Sequence, residues 1–213
     1  MRTDDLVETL STNVEAVDRR QVSRTIAGAI AVSGIASLAV ILLVFGLRPH
    51  LEHGAAWTFL LVKLAFAFGI VALALFALNR ASRPGGERRT SIALIASPFV
   101  GIMILAAISL FSAPSSHWEA MIVGDEWLEC LISIPVIAIV PFAAVIWAVR
   151  QAAPTNLTRA GALAGLTAGG ISTMAYAFHC TDDSMPFIAL WHGGTVALCT
   201  SVGAYLGPRL LRW

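Results

Sequence analysis

Six stretches of this chain are apolar for long enough to cross a bilayer as a helix, which takes about 20 mostly apolar residues. They run roughly from Thr25 to Leu47, Trp57 to Leu78, Ser91 to Phe111, Leu128 to Val149, Ala160 to Phe178 and Pro186 to Leu206. The first carries no charge and the second only Lys63; the last two are the least hydrophobic, and the fifth is rich in Gly and Ala. Strict alternation over many short segments is missing, which argues against a β-barrel. The pattern predicts an all-α integral membrane protein, a six-helix transmembrane bundle formed by residues 25–213 and preceded by a separate segment, residues 1–24. Spans and short loops use nearly the whole chain and leave no room for a second folded domain. The first apolar run is about 22 residues, longer than a secretory signal core, and is expected to remain as a span.

Composition sharpens this. Hydrophobic residues make up 57% of the 213 and charged residues 13%, with a mean hydropathy of +0.79. A soluble domain carries about 25% charged residues. The balance excludes a soluble enzyme, a module with a basic face for direct nucleic-acid contact, and a disordered chain, which needs low hydrophobicity.

The net charge of +1 says little, but its placement says more. Arg2, Arg19, Arg20 and Arg24 precede the first span. Arg80, Arg83, Arg88 and Arg89 follow the second. Arg150 and Arg159 follow the fourth, and Arg209 and Arg212 follow the sixth. Twelve of the 14 basic residues therefore mark one side, and Arg48 stands on the other. Cytoplasmic loops collect Lys and Arg, so both termini are expected in the cytoplasm. The even number of spans agrees. Glu52, Glu119, Asp125, Glu126, Glu129, Asp182 and Asp183 sort to the opposite, outer side.

Within residues 1–24, Leu6, Leu10, Val14 and Val17 share one face of a helix, with Asp4, Asp5, Glu8, Glu15 and Asp18 on other faces. Thr3 suits an N-cap, and the two aspartates suit the first turn. One reading is a solvated helix leading into the first span. The other is a partner-binding helix, short enough to be marginal alone in water and shaped for a groove with a basic rim.

Three cysteines occur. Cys199 falls in mid-span, where a small buried hydrophobe is the default. Cys130, at the outer mouth of the fourth span, and Cys180, at the outer end of the fifth, fall at one membrane depth. An oxidising compartment permits a disulfide between them. Reduced, they form a thiol pair near His179, Glu129, Asp182 and Asp183, and Cys130, Cys180 and His179 could hold a soft or borderline metal transiently. No resident cofactor is expected. His192 lies about two turns into the sixth span, where an ionisable group is either hydrogen-bonded between helices or functional. Lys63 is expected to snorkel outward.

Gly161, Gly165 and Gly169 form a small-residue ridge, for packing inside the bundle or between copies in a homo-oligomer. Pro98, Pro135 and Pro141 are expected to bend their spans. The motifs of a P-loop, a zinc protease and a serine hydrolase are missing, so no enzyme is expected. A small transporter or thiol and metal redox protein working through Cys130, Cys180 and His192 remains as an alternative, as does a structural subunit.

Two runs carry a resemblance: Arg2-Thr3-Asp4-Asp5-Leu6 and His179-Cys180-Thr181-Asp182-Asp183-Ser184-Met185-Pro186-Phe187. With the length and span count, they resemble the NrsF-like family of six-span inner-membrane anti-sigma factors, which restrain sigma-F-type extracytoplasmic-function sigma factors. The resemblance implies that Asp4, Asp5, Leu6 and Leu10 bind the sigma factor. It also implies that Cys130 and Cys180 sense heavy metals or oxidants. Trp191-His192-Gly193 departs from the Trp-Tyr-Gly expected there, so no family role passes to His192.

Overall fold

The computed structural model describes residues 21–49, 54–81, 91–152 and 154–212, together with Thr3, Val7 and Thr12. The segment expected to bind a sigma factor lies almost wholly outside the described residues, Asp4, Asp5, Leu6 and Leu10 included. Among the described residues every regular element is helical.

Helix α1 is Gln21–Val40 and runs on through a π-helical turn, Ile41–Phe45. Helix α2 is Gly54–Ala81, α3 is Ile92–Ser112, and α4 is a short helix, Trp118–Val123. Helices α5 and α6 are Trp127–Arg150 and Leu157–Tyr176. The last helix, α7, spans Met185–Leu210 and contains a π-helical stretch, Ile188–His192. The six expected spans match α1, α2, α3, α5, α6 and α7; α4 was not expected and lies between α3 and α5 along the chain.

Local chemistry sets several starts. Ser91 Oγ accepts from Ala93 N at the head of α3, and Asn156 Oδ1 accepts from Arg159 N at the head of α6. Each supplies a partner that the first turn of a helix lacks. Ser184 does the same for α7, accepting from Phe187 N, with Pro186 placed where a missing N–H costs nothing. Helix α5 continues through Pro135 and Pro141, and α3 through Pro98.

Five of the helical segments are long and apolar enough to cross a membrane: Ser23–Phe45, Ala56–Ala81, Ile92–Ser112, Ser115–Arg150 and Met185–Leu210. Their outward faces are apolar. Val32, Ile35, Leu43, Ile92 and Phe111 are each more than two-thirds exposed, a surface that water does not tolerate over such an area. Helix α6 is the sixth and falls short in apolarity, for a structural reason. It is the axis of the bundle, packed against α1, α2, α5 and α7. Fifteen of its residues are buried by protein, Thr167, Ser172 and Thr173 among them. Surrounded by other helices, it can use small and hydroxylated residues where the others need Leu, Ile and Phe.

The small-residue ridge is the seam between α6 and α7. A Cβ at Gly165 would run into the Cys199 carbonyl, one at Gly161 into the Gly203 carbonyl, and one at Gly207 into the Leu157 carbonyl. The backbones meet directly, as small residues permit, and the ridge is used inside one chain. The principal core lies where α2, α5 and α6 converge and includes Ile70, Leu78, Val145, Val149, Leu163 and Leu166. A second cluster lies near the loop joining α6 to α7 and holds Ile41, Cys130, Ile134, Tyr176, Cys180 and Phe187.

Candidate functional site

That second cluster is where the expected site residues meet. Cys130 lies in the first turn of α5, Cys180 just beyond the end of α6, and His192 at the last position of the π-helical stretch in α7. The two sulfur atoms and a ring nitrogen of His192 all lie within 4.8 Å of one another. All three residues are buried, and Cys130 and Cys180 are free thiols. The pairing of Cys130 with Cys180 was legible from their common depth. The third member is His192.

His179 sits beside the cluster instead. Its Nδ1 lies 3.2 Å from the Gly46 carbonyl, its Nε2 is 3.9 Å from Glu129 Oε2, and its ring stands edge-on to Phe45 and Tyr176. Glu129 and His179, sequence neighbours of the two cysteines, thus form a partly exposed rim. Cys199 lies elsewhere, with Ala138 and Ala168, as a small buried side chain.

A π turn explains the orientation of His192. The extra residue in that turn rotates everything after it relative to a continuous α-helix, and such turns are frequent at functional sites. The imidazole is held edge-on between Tyr176, at 6.2 Å, and Phe187, at 6.1 Å.

Two cations stand behind Cys180. Lys63 does not reach water: it is fully buried, and its Nζ donates to the Cys180 carbonyl at 3.0 Å and to Asp183 Oδ1 at 3.2 Å. It also lies 3.5 Å from Cys180 Sγ. Arg48, the lone outer-side cation of the sequence, donates to the Cys180 carbonyl and makes a two-pronged pair with Asp183, at 3.0 and 2.5 Å. Such forked pairs are strong and directional. The Cys130 thiol above all holds the loop residue Cys180 well below the usual thiol range, against the opposing effect of burial.

The rest of the loop is anchored residue by residue. Thr181 donates from its N–H and its hydroxyl to the Glu126 carboxylate, at 3.0 and 2.6 Å. The Asp182 carboxylate accepts from the N–H groups of Asp125 and Glu126, which caps the head of α5. Ser184 Oγ donates to the Met121 carbonyl in α4, and Trp191 Nε1 donates to the Ile122 carbonyl at 2.9 Å. Gly124 has φ +63°, and a Cβ there would meet the Phe187 ring and Asp182. The run from His179 to Phe187 is therefore a clamp. It ties α2, the α1–α2 loop, α4 and the head of α5 to one point, with Cys180 at its centre. Sequence reading assigned no partner to Arg48, Glu126, Ser184 or Trp191; a lone cation on an acid-rich side was the one available signal.

Fold and site together define a helical protein with membrane-length apolar helices and a buried thiol–imidazole cluster under an ion-paired loop. Comparison with known sequences supplies the lineage. The family described as NrsF, negative regulator of sigma F, matches residues 10–213, and the chain belongs to that family. A protein of Azospira oryzae described as a probable anti-sigma-F factor NrsF is 30% identical over the full length of both chains. One of Caulobacter vibrioides described as an anti-sigma-F factor NrsF is likewise 30% identical over the full length of both. The family is named for regulation, not catalysis. No solved structure matches the chain.

Proposed function

We propose that this protein is an inner-membrane anti-sigma factor. Its cytoplasmic N-terminus, through Asp4, Asp5, Leu6 and Leu10, holds an extracytoplasmic-function sigma factor of the sigma-F type. Metal or oxidant stress at Cys130 and Cys180, on the outer side, releases it. Membership of a family of negative regulators of sigma F supports the regulatory role. The membrane reading rests on the five long apolar helices, with α6 as a sixth crossing inside them. Six crossings put both termini on one side, and the arginine-rich side is the cytoplasm.

The observation that carries the sensing half is the meeting of two free thiols from separate elements beneath one clamped loop. Modifying a thiol there changes how the head of α5 packs against the loop and α7. A signal shifts such an equilibrium only as far as it favours one packing over the other. On the inner side, sigma factors present basic faces for phosphates, and an acidic amphipathic segment competes for such a face. The test is a Cys130→Ser, Cys180→Ser chain in cells carrying a sigma-dependent reporter. Induction by metal or oxidant should be lost while repression without stress persists. Induction at the native level in the double variant would sink the sensing half.

A further inference from the structure

His192 is unexplained by the reading above. Both its ring nitrogens are buried, and neither has a hydrogen-bond partner among the described residues. A buried polar group left unpaired is costly, so natural bundles rarely keep one without use. The ring is nonetheless held in place by Tyr176 and Phe187 and lies against two buried thiols.

We propose that Cys130, Cys180 and His192 form a three-donor site for a soft or borderline metal ion such as Cd2+, Zn2+ or Cu+, with His192 as the third ligand. The proposal rests on the sensing role of the two cysteines and gives it a chemical form, direct coordination in place of oxidation to a disulfide. Thiolate and imidazole together select such ions. Metal–sulfur and metal–nitrogen bonds of about 2.3 and 2.0 Å place donors around one ion roughly 3.5–3.8 Å apart. The donors here lie within 4.8 Å of one another, so closing on an ion takes a contraction of at most about 1 Å. Hard ions are refused, because they need several oxygen ligands. The carboxylates of the clamp are already engaged, Asp183 by Arg48 and Lys63 and Glu126 by Thr181. Three protein ligands leave a position open for a small exogenous ligand. The three come from the head of α5, the loop and the π turn of α7, so an ion would tie directly together three segments that the clamp's hydrogen bonds and packing bring side by side.

The test is a Cd2+ titration of the full chain, purified reduced in detergent and followed by thiolate-to-metal charge-transfer absorption. The native chain should bind one ion, with Mg2+ and Ca2+ unable to compete. His192→Phe, which keeps the ring volume, should weaken binding by at least about tenfold, the loss that even outer-shell partners cause. Cys130→Ser should remove the absorption, and Cys199→Ser should leave it unchanged. Should His192→Phe fail to fold, His192→Gln and cadmium NMR of the native chain report the same nitrogen ligand. Native affinity in His192→Phe, or no Cd2+ bound by the native chain, overturns the proposal. Loss of binding with cysteine-dependent induction by oxidants intact would sink coordination and spare the sensing role. Binding that depends on His192, in cells whose induction ignores the cysteines, would do the reverse.

Discussion

Lys63 is the side chain whose position costs most. An ammonium with no exposed surface, in the middle of an apolar helix, is tolerated only if it is paired. Its partners come from residues 180 and 183, more than a hundred positions away, and Arg48 converges on the same carboxylate from another loop. Removing Asp183 leaves two cations sharing the Cys180 carbonyl with no counter-charge between them, whereas removing Lys63 leaves Asp183 with its forked partner. Asp183→Asn should therefore destabilise the chain by about 3 kcal/mol, while Lys63→Met, similar in volume, should cost far less. Thermal unfolding of both variants of the full chain in detergent checks the order. Equal midpoints would mean that the Asp183 carboxylate is not what holds the two cations.

At the scale of helices, the α6–α7 seam makes a sharper claim than glycine content could. Gly165→Ala puts a methyl group against the Cys199 backbone and Gly161→Ala puts one against Gly203, with no side chain there to give way. Both should lower the thermal midpoint, by the 1–3 kcal/mol typical of overpacking. Gly28→Ala in α1 meets nothing within 4 Å, and should hold or raise stability by about 0.5–1 kcal/mol through helix propensity. Thermal melts of the three variants decide it, and a loss at Gly28 equal to that at Gly165 would contradict the seam. The helices themselves were legible in the sequence because an apolar run of fixed length is forced on any chain in contact with lipid. Helix α6 was the weakest of them because protein, not lipid, surrounds it. The site was half legible. Membrane depth pairs Cys130 with Cys180, but the π turn that aims His192 inward has no hydrophobic signature. The clamp joins segments by single hydrogen bonds, which leave no periodicity to read.

For the whole molecule, the anti-sigma reading needs the clamp on one side of the membrane and residues 1–24 on the other. The proposed sides follow from the arginine asymmetry, and the native thiols make the proposal measurable: Cys130, Cys180 and Cys199 are all buried, so a maleimide should label the native chain poorly. Ser116→Cys places a thiol at an exposed position beside α4, and Ser82→Cys places one in the arginine-rich stretch of sequence after α2. In intact spheroplasts a membrane-impermeant maleimide should label Ser116→Cys and spare Ser82→Cys until the membrane is opened; the reverse pattern would put the cluster in the cytoplasm. With the sides fixed, the tail can be tested apart from the sensor. Leu6→Ala and Leu10→Ala remove the two apolar side chains proposed to anchor the sigma factor, and an anchor of that kind carries about 2 kcal/mol, roughly a 30-fold change in affinity. Sigma-dependent transcription should then run without stress, at unchanged protein level and with Cd2+ binding at the cluster intact. If the reporter stays silent in the double tail variant, the sigma factor is not held through Leu6 and Leu10.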